Sequence, residues 1–594
     1  MEDCPRPWVK YYNPDKTPET LTYPDVSVYE FVRQASNRFP EKIAYEFEGK
    51  TTTYREFMRR TDHLAACLYE SGVRKGDNVI ICMPNSPQTV QMFYAVVKCG
   101  AVSTMIHPLS AKNEIKYYLN NAEVKVAMVF NGVAQNFIDV QPETDLKTLI
   151  VADIADELSF LKSVGFKLTK GRKIPKVPEL DFIIKWKDFL KITDKNDIPY
   201  VENKGHDCAA ILYSGGTTGV PKGVMLSNLN MNAMAKGMLA ASEGFSESID
   251  TVYSDEAYKV MYRDYVVLSV MPMFHGFGLV VGVHTFLSFG GKCVLVPTFT
   301  PDSFAKLIVD KRPNYIAGVP TLYERMIRSD VIQKADLSCL DGMFCGGDAL
   351  QPEQKKKIDE FLKSHNSHTI IREGYGLTES VAATCLTPIN NPREGSIGIP
   401  FPDVYFKIFE VGTSTPVPYG EVGEICISGP NVMLGYYNNP EETANALKVH
   451  EDGRTWLHTG DLGKMDEDGY VYFAQRYKRM IISSGYNIYP TQVEAAINSF
   501  PGVVESCAIG IPDPVRQERI KVFIVLEKGV VGDDEFIKKI RLHCKDYLAK
   551  YAIPKNFEFV ESLPRTKVGK IAFRDLEELE AKRRAEKAKE EKKE

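Results

Sequence analysis

Residues Tyr213–Gly223 read YSGGTTGVPKG. Gly215, Gly216 and Gly219 let successive backbone N–H groups turn towards one anion. The hydroxyls of Ser214, Thr217 and Thr218 add donors, and Lys222 adds positive charge. A loop of this make-up holds phosphate. It is not a Walker A loop, whose pattern is GxxxxGK[ST]. The spacing from Gly215 to Lys222 does not fit, and Gly223 stands where a magnesium-binding hydroxyl is required. A P-loop NTPase releasing ADP is therefore disfavoured.

The loop leaves the apolar run CAAILY, and the same rhythm of short apolar runs and helical stretches recurs along most of the chain. NVIICM, STMIHP, VKVAMVF, YVVLSVMP, KCVLVP, YIAGVP, GMFCGG and HTIIREGYG read as buried strands. TYREFMRRTDHLAACLYESG reads as a helix opened by a capping box, Thr53 to Glu56, and stopped at Gly72. PQTVQMFYAVVKCG reads as another, with Val90, Phe93, Tyr94 and Val97 on one face. Strands alternating with helices imply βαβ units and parallel sheets, which bind ligands at strand carboxyl ends. From about Val404 the runs VYFKIFE, GEICISG, GYVYFA and RMIISSG predict a small antiparallel unit. A helix–strand–strand–helix pattern after Ser484 predicts a separate C-terminal lobe. The fold class is α/β: a large N-terminal region of parallel α/β sheets plus a small β unit, then a small mobile α+β C-terminal domain.

With 594 residues the chain exceeds one compact core, and 44% hydrophobic content is enough to bury real cores and gives no indication of disorder. A net charge of −5 leaves no global nucleic-acid footprint. The twelve cysteines show no CxxC or zinc-type spacing, so they read as reduced thiols of a cytoplasmic interior. The start, MEDCPRPWVKYYNPD, has neither the basic head nor the apolar run of a secretory signal. The most apolar window, Gly276–Gly291, is shorter than the ~20 residues a spanning helix needs.

Four further motifs follow the phosphate loop in order: GYGLTES (Gly374–Ser380), WLHTGDLG (Trp456–Gly463), KRMIISSGYNIYP (Lys478–Pro490) and PRTKVGKI (Pro564–Ile571). In this order, over roughly residues 25–575, they resemble the AMP-forming acyl-CoA synthetases of the adenylate-forming superfamily, and fatty-acyl-CoA ligases most closely. The resemblance implies a carboxylic acid, ATP, Mg²⁺ and coenzyme A as reactants and cofactors. The acid attacks the α-phosphate to give acyl-AMP and pyrophosphate, and the coenzyme A thiol then displaces AMP. Two anions must be held close together, so cations and N–H donors are obligatory.

By the same resemblance, Ser214, Gly215, Gly216, Thr217, Thr218, Gly219 and Lys222 hold the outer phosphates. Glu379 is the Mg²⁺ ligand, a hard oxygen donor suited to that ion. Thr378 meets the α-phosphate. Gly374, Tyr375 and Gly376 belong to the nucleotide site, with Tyr375 against the adenine and Gly346, Gly347 and Asp348 lining the base pocket. Asp461 takes the ribose hydroxyls, and Arg476 contacts ribose and phosphate. Around Arg476 the chain departs from the family pattern: Gln475 replaces a glycine and Arg479 an acid. Lys478 is the hinge about which the C-terminal lobe rotates between half-reactions. One orientation delivers Lys570 to the α-phosphate and carboxylate, and the other brings the segment around Gly485 to coenzyme A. His275, in MPMFHGFG, lies beside the acyl pocket and orients a carboxylate that is already ionised at pH 7.

The implied domains are 1–477, carrying a basic insertion at about 155–178, then 478–575, then a charged tail, 576–594. The apolar character of MPMFHGFGLVVGVHTFL and YIAGVPTLYERM favours a medium- or long-chain fatty acid, with an aryl acid as the alternative. Transfer to a carrier-protein thiol, and a non-catalytic binding protein on an inherited fold, are the other readings. The expected partners are small molecules and no nucleic acid. Residues 158–176 carry six bases and no acid, with Leu158, Leu161, Val164 and Leu168 at helical spacing. That pattern fits peripheral contact with an anionic membrane or a solvated surface insertion. The tail reads as a frayed, solvated helix with i,i+4 ion pairs.

Overall fold

The computed structural model describes every residue except 1–3, 215–220, 244–264, 349, 477–478, 480, 484–485, 489, 514–516, 549–551, 567–569 and 591–594. Within helices and strands, the side chains of 167, 170, 173, 475, 476, 482, 486, 487, 517, 546 and 587–590 are also outside the description. The chain divides into two compact units. The first is Met1–Phe406, Ile427–His458 and Asp468–Tyr470; the second is Lys407–Cys426, Thr459–Glu467 and Val471–Glu594.

Two large sheets build the first unit. In one, the order is Gly435–Tyr436, Lys222–Ser227, Cys208–Ser214, Val102–Met105, Asn78–Cys82, Val126–Phe130, Thr148–Ala152, Ile183–Lys185. It is parallel from Cys208–Ser214 onward and antiparallel at the Gly435 edge. In the other, Ile371–Tyr375, Gly342–Cys345, Tyr315–Gly318, Val266–Ser269, Lys292–Leu295 and Ile43–Phe47 run parallel, with antiparallel strands at both ends. The mixed α/β class with mainly parallel sheets is the one the strand–helix rhythm predicts. Its physical basis is visible in Asn78–Cys82, where every residue is buried, as helices on both faces of a parallel sheet require. The helix Pro87–Lys98 is likewise buried nearly throughout, and Ser86 accepts from Thr89 N at its start.

Local signals mostly hold, with three instructive differences. The helix Tyr54–Glu70 begins as expected with Thr53 accepting from Glu56 N. The reciprocal half of the capping box is replaced: the Glu56 carboxylate turns to Arg59 and Arg60, which hold its pKa down to about 2. The strand within RMIISSG, Ile481–Ser483, pairs with Tyr486–Ile488 and Gln517–Leu526 in the C-terminal sheet and not with the small antiparallel sheet. The charged tail forms the helix Phe573–Glu590, yet its first half is packed. Leu576 and Glu580 are buried, Glu580 pairs with Lys521, and Arg583 pairs with Glu558. Its partners lie on strands far away in sequence, so no local charge pattern announced them.

All twelve cysteines are free thiols, ten of them buried. Burial pushes Cys208 and Cys293 up to about 12, far from reactive thiolate. Among the described residues, no helix is long and apolar enough to cross a membrane.

Candidate active site

The strands on either side of the glycine-rich segment are antiparallel, and its two flanking residues are directly opposed: Ser214 pairs with Lys222 in the strand register. Gly215, Gly216, Thr217, Thr218 and Gly219 lie outside the described residues. The hairpin carries Ser214 to the carboxyl end of the parallel strand Cys208–Ser214, where such sheets bind ligands. There the Ser214 hydroxyl donates to Glu379 Oε1 at 3.1 Å. Glu379 sits in the turn Thr378–Ser380 that follows the strand Ile371–Tyr375 of the other sheet. The two expected halves of the site, 165 residues apart in the chain, therefore meet through one hydrogen bond.

Two further residues complete this cluster. The Tyr436 hydroxyl donates to the same Glu379 oxygen at 3.0 Å. The Lys222 ammonium lies 4.9 Å from the centre of the Tyr436 ring and forms an ion pair with Glu442. Sequence reasoning missed Tyr436 and Glu442. They reach the site because the short strand Gly435–Tyr436 pairs with Lys222–Ser227, setting Tyr436 opposite Val224, and the following helix starts at Pro440 under an Asn439 cap. Burial and the neighbouring Glu379 carboxylate push the Tyr436 phenol far above its usual range, so it stays a donor.

This donor set fits Mg²⁺. Both hydroxyls bond Oε1 of Glu379, leaving the second oxygen of a half-buried carboxylate for a hard cation. Magnesium needs one or two such carboxylates and takes its remaining ligands from phosphate and water.

The first-unit residues expected at the nucleotide base also converge. Gly346 follows the strand Gly342–Cys345, and its N–H donates to Gly318 O at 3.1 Å. A Cβ on Gly346 would stand 3.2 Å from the Gly374 carbonyl, so the strand ends bearing Gly346, Gly347, Asp348 and Gly374, Tyr375, Gly376 adjoin. The Tyr375 ring meets Phe406 edge-on at 6.3 Å. Thr378 is buried beneath Glu379.

His275 is placed by a second close approach. A Cβ on Gly276 would fall 1.7 Å from the Val381 carbonyl oxygen, so only glycine lets the His275 loop press against the turn after Glu379. Val381 itself has φ +72° and ψ −48°, a strained conformation for a β-branched residue. His275 N donates to Pro272 O, and its Nδ1 accepts from Phe277 N at 3.2 Å. Asn85, also missed from sequence, pins this loop with its whole amide. Its Nδ2 donates to Ser269 O and Met271 O, and its Oδ1 accepts from Met273 N. Past His275 the chain forms an eight-residue π-helix, Phe277–His284, buried from Gly278 to its end.

In the second unit, Asp461 is buried and opposes Arg476 in the strand register. Its N–H donates to Thr459 Oγ1, whose own hydroxyl donates to Ile425 O. The Arg476 side chain, Lys478 and Gly485 lie outside the described residues. Arg479, the departure from the family pattern, is a half-buried cation held within the second unit. It donates to Glu494 Oε1 at 2.5 Å and to Ala508 O at 3.2 Å. Lys570 closes a loop in which Thr566 N donates to Lys570 O and Lys570 N donates to Thr566 Oγ1. An isolated bridge between Arg565 and Ile571 brackets that loop.

Comparison with known proteins gives the family. Residues 31–437 match the AMP-binding enzyme family, and residues 492–570 match the AMP-binding enzyme C-terminal domain. The chain is 34% identical to a long-chain-fatty-acid–CoA ligase of Bacillus subtilis, covering 97% of this chain and 98% of that one. It is 30% identical to a long-chain-fatty-acid–CoA ligase of Salmonella typhimurium, over 96% of this chain and 97% of that one. Among solved structures, ATP-bound MatB from Rhodopseudomonas palustris superimposes with a TM-score of 0.77 at 26% identity, covering 93% of this chain and 99% of that one.

Proposed function

Because the chain belongs to the AMP-binding enzyme family, we propose that it is an AMP-forming acyl-CoA ligase acting on a medium- or long-chain fatty acid in the cytoplasm. The observation that carries the chemistry is the Ser214–Glu379–Tyr436 cluster beside Lys222. It sets a carboxylate with one oxygen in reserve next to an ammonium at a strand end. That arrangement suits a triphosphate with its magnesium. The near-full-length similarity to two fatty-acid ligases and the buried apolar helix after His275 support the choice of acid.

In this reading Lys222, Ser214 and the loop N–H groups hold the outer phosphates. Glu379 would hold Mg²⁺, which supplies neutralisation of phosphate charge. Thr378 contacts the α-phosphate. Tyr375 and the strand ends at Gly346–Asp348 and Gly374–Gly376 receive the adenine, while Asp461 and Arg476 receive the ribose. His275 orients the acid's carboxylate. The carboxylate oxygen forms the new bond to the α-phosphorus, and the bond to pyrophosphate breaks. Lys570 is the cation assigned to the charge that develops on the bridging oxygens. The thiol of coenzyme A then attacks the acyl carbon, near the segment of Gly485, and AMP leaves. Rotation about Lys478 at the 477/478 boundary exchanges Lys570 for that segment.

The test is product analysis on the full chain with Mg²⁺, ATP, coenzyme A and a panel of alkyl and aryl acids. The expected products are AMP and a fatty acyl-CoA in equal amounts. ADP, or no product with any acid, would reject the ligase reading, and aryl acids outperforming alkyl acids would reject the fatty-acid reading. Lys570→Ala should slow acyl-AMP formation by about 10²–10³-fold and leave thioester formation from supplied acyl-AMP within about twofold. Equal loss in both steps would remove Lys570 from its role.

A further inference from the structure

The helix Phe160–Leu168 is built inside out. On an ordinary surface helix the apolar stripe faces the body of the protein. Here Phe160 and Leu161 are each 81% exposed, Leu168 55% and Val164 42%. At about 100° per residue, these four positions fall within an arc of about 100° on one side of the helix. The opposite side carries the attachments. Phe166 is half-buried, and the Lys162 ammonium reaches back to Glu48, donating to its carbonyl at 2.6 Å and pairing with its carboxylate at 3.3 Å. The helix is therefore anchored by its polar and half-buried face, and its apolar stripe is presented to solvent.

The charge of the segment itself has one sign. Residues 159–176 contain Lys162, Lys167, Lys170, Arg172, Lys173 and Lys176 and no acid. The acids nearest in sequence are already engaged. Glu157 is buried against Arg60 and Lys50, Asp156 pairs with Lys187, and Glu179 pairs with Lys185. Arg172 and Lys176 are exposed and make no ion pair among the described residues. An exposed apolar ridge carrying one aromatic and three aliphatic side chains, followed directly by uncompensated bases, matches one kind of surface. That surface is an apolar interior beneath a layer of negative charge.

We propose that Phe160–Lys176 is a membrane-docking element that sets Phe160, Leu161, Val164 and Leu168 among the acyl chains of an anionic lipid bilayer while Arg172, Lys176 and their basic neighbours meet the headgroups. The contact is peripheral, since the helix of nine residues is far too short to span. The inference goes beyond the proposed reaction and does not depend on it, because its readout is binding and not turnover.

The experiment is co-sedimentation of the full chain with vesicles of phosphatidylcholine containing a minority of phosphatidylglycerol, and with vesicles of phosphatidylcholine alone. Wild-type protein should bind the anionic vesicles at least about tenfold better, with the advantage falling as salt is raised. The double variant Phe160→Ser, Leu161→Ser should weaken anionic-vesicle binding by at least about tenfold, since both rings and branches leave the bilayer. Arg172→Gln with Lys176→Gln should erase much of the preference for anionic over neutral vesicles. All four side chains are exposed, so an unchanged thermal unfolding midpoint is expected and separates lost docking from lost folding. No binding to either vesicle, or binding that the Phe160/Leu161 variant leaves intact, would overturn the proposal. A concentration-dependent dimer that the same variant dissolves would also overturn it, by showing that a second copy covers the stripe.

Discussion

Glu379 and His284 belong to the same unit, and the His275 loop that presses on the turn after Glu379 leads into the π-helix ending at His284, yet their surroundings treat polarity in opposite ways. Glu379 is half-buried, and two hydroxyls share a single one of its oxygens. His284 is fully buried, and every polar position of its ring is spoken for. The Tyr94 hydroxyl lies 3.0 Å from Nδ1 and Asn232 Oδ1 lies 3.0 Å from Nε2, so the neutral Nε2–H form is selected. Burial lowers its pKa to about 3. The difference teaches how the unit divides its labour. Glu379, at a strand end, keeps one carboxylate oxygen outside its two hydroxyl bonds. His284 commits both ring nitrogens to fixed neighbours.

The contrast can be broken most severely at Glu379. Replacing it with Gln should reduce acid-dependent exchange of pyrophosphate into ATP by about 10²–10³-fold, because a neutral amide cannot hold a hard cation. A loss under about threefold would mean the spare oxygen has no task. Tyr436→Phe removes one of the two hydroxyls that fix the carboxylate and should cost about three- to tenfold in the same assay, with the residual Ser214 bond preventing worse.

On the apolar side the signature is stability against pH. The folded His284 pKa lies below the unfolded value near 6.5, so its contribution is complete above pH 6.5 and is lost as pH falls from there towards 3. The slope is about 1.4 kcal/mol per pH unit from this group alone. Denaturant titrations of wild type and His284→Gln should converge as pH is lowered from 6.5 to about 5; parallel curves would show that His284 is not held neutral. Glu373 offers the smallest and oppositely signed effect. It lies on the strand leading to Tyr375, and burial, partly offset by Lys355, raises its pKa to about 7. Its contribution is full below about pH 4.5 and is lost as pH rises through 7. Glu373→Gln should therefore gain on wild type as pH rises from about 4.5 to 7, as read by thermal unfolding midpoints, and a constant difference would exclude the raised value.

Much of this was legible in the chain. Strands such as NVIICM, YIAGVP and GMFCGG declare themselves because a parallel strand buried on both faces must be apolar along its whole length. Ser214 and Lys222 could be singled out because a loop suited to phosphate restricts residue types, and Glu379 because GYGLTES resembles a family motif; the structure brings Ser214 and Glu379 together. Tyr436, Glu442 and Asn85 were not. A tyrosine, a glutamate beside a helix start and an asparagine in a loop are all ordinary locally, and each acquires its role only from a partner far along the chain. The tail helix misled for the same reason: its i,i+4 charges looked self-sufficient, while Glu580 and Arg583 are anchored on distant strands.

The order of residue types along the backbone determined the strands, the helices, the glycine-rich loop and the family to which the chain belongs, since each depends on interactions spanning a few residues or on motifs contiguous in the chain. Only the tertiary structure decided that Ser214 and Tyr436 would share one oxygen of Glu379, that Asn85 would pin the loop of His275, and that the stripe of Phe160 would face outward. Those outcomes depend on strand register and on which helix face is covered, and both are set by packing between segments a hundred or more residues apart.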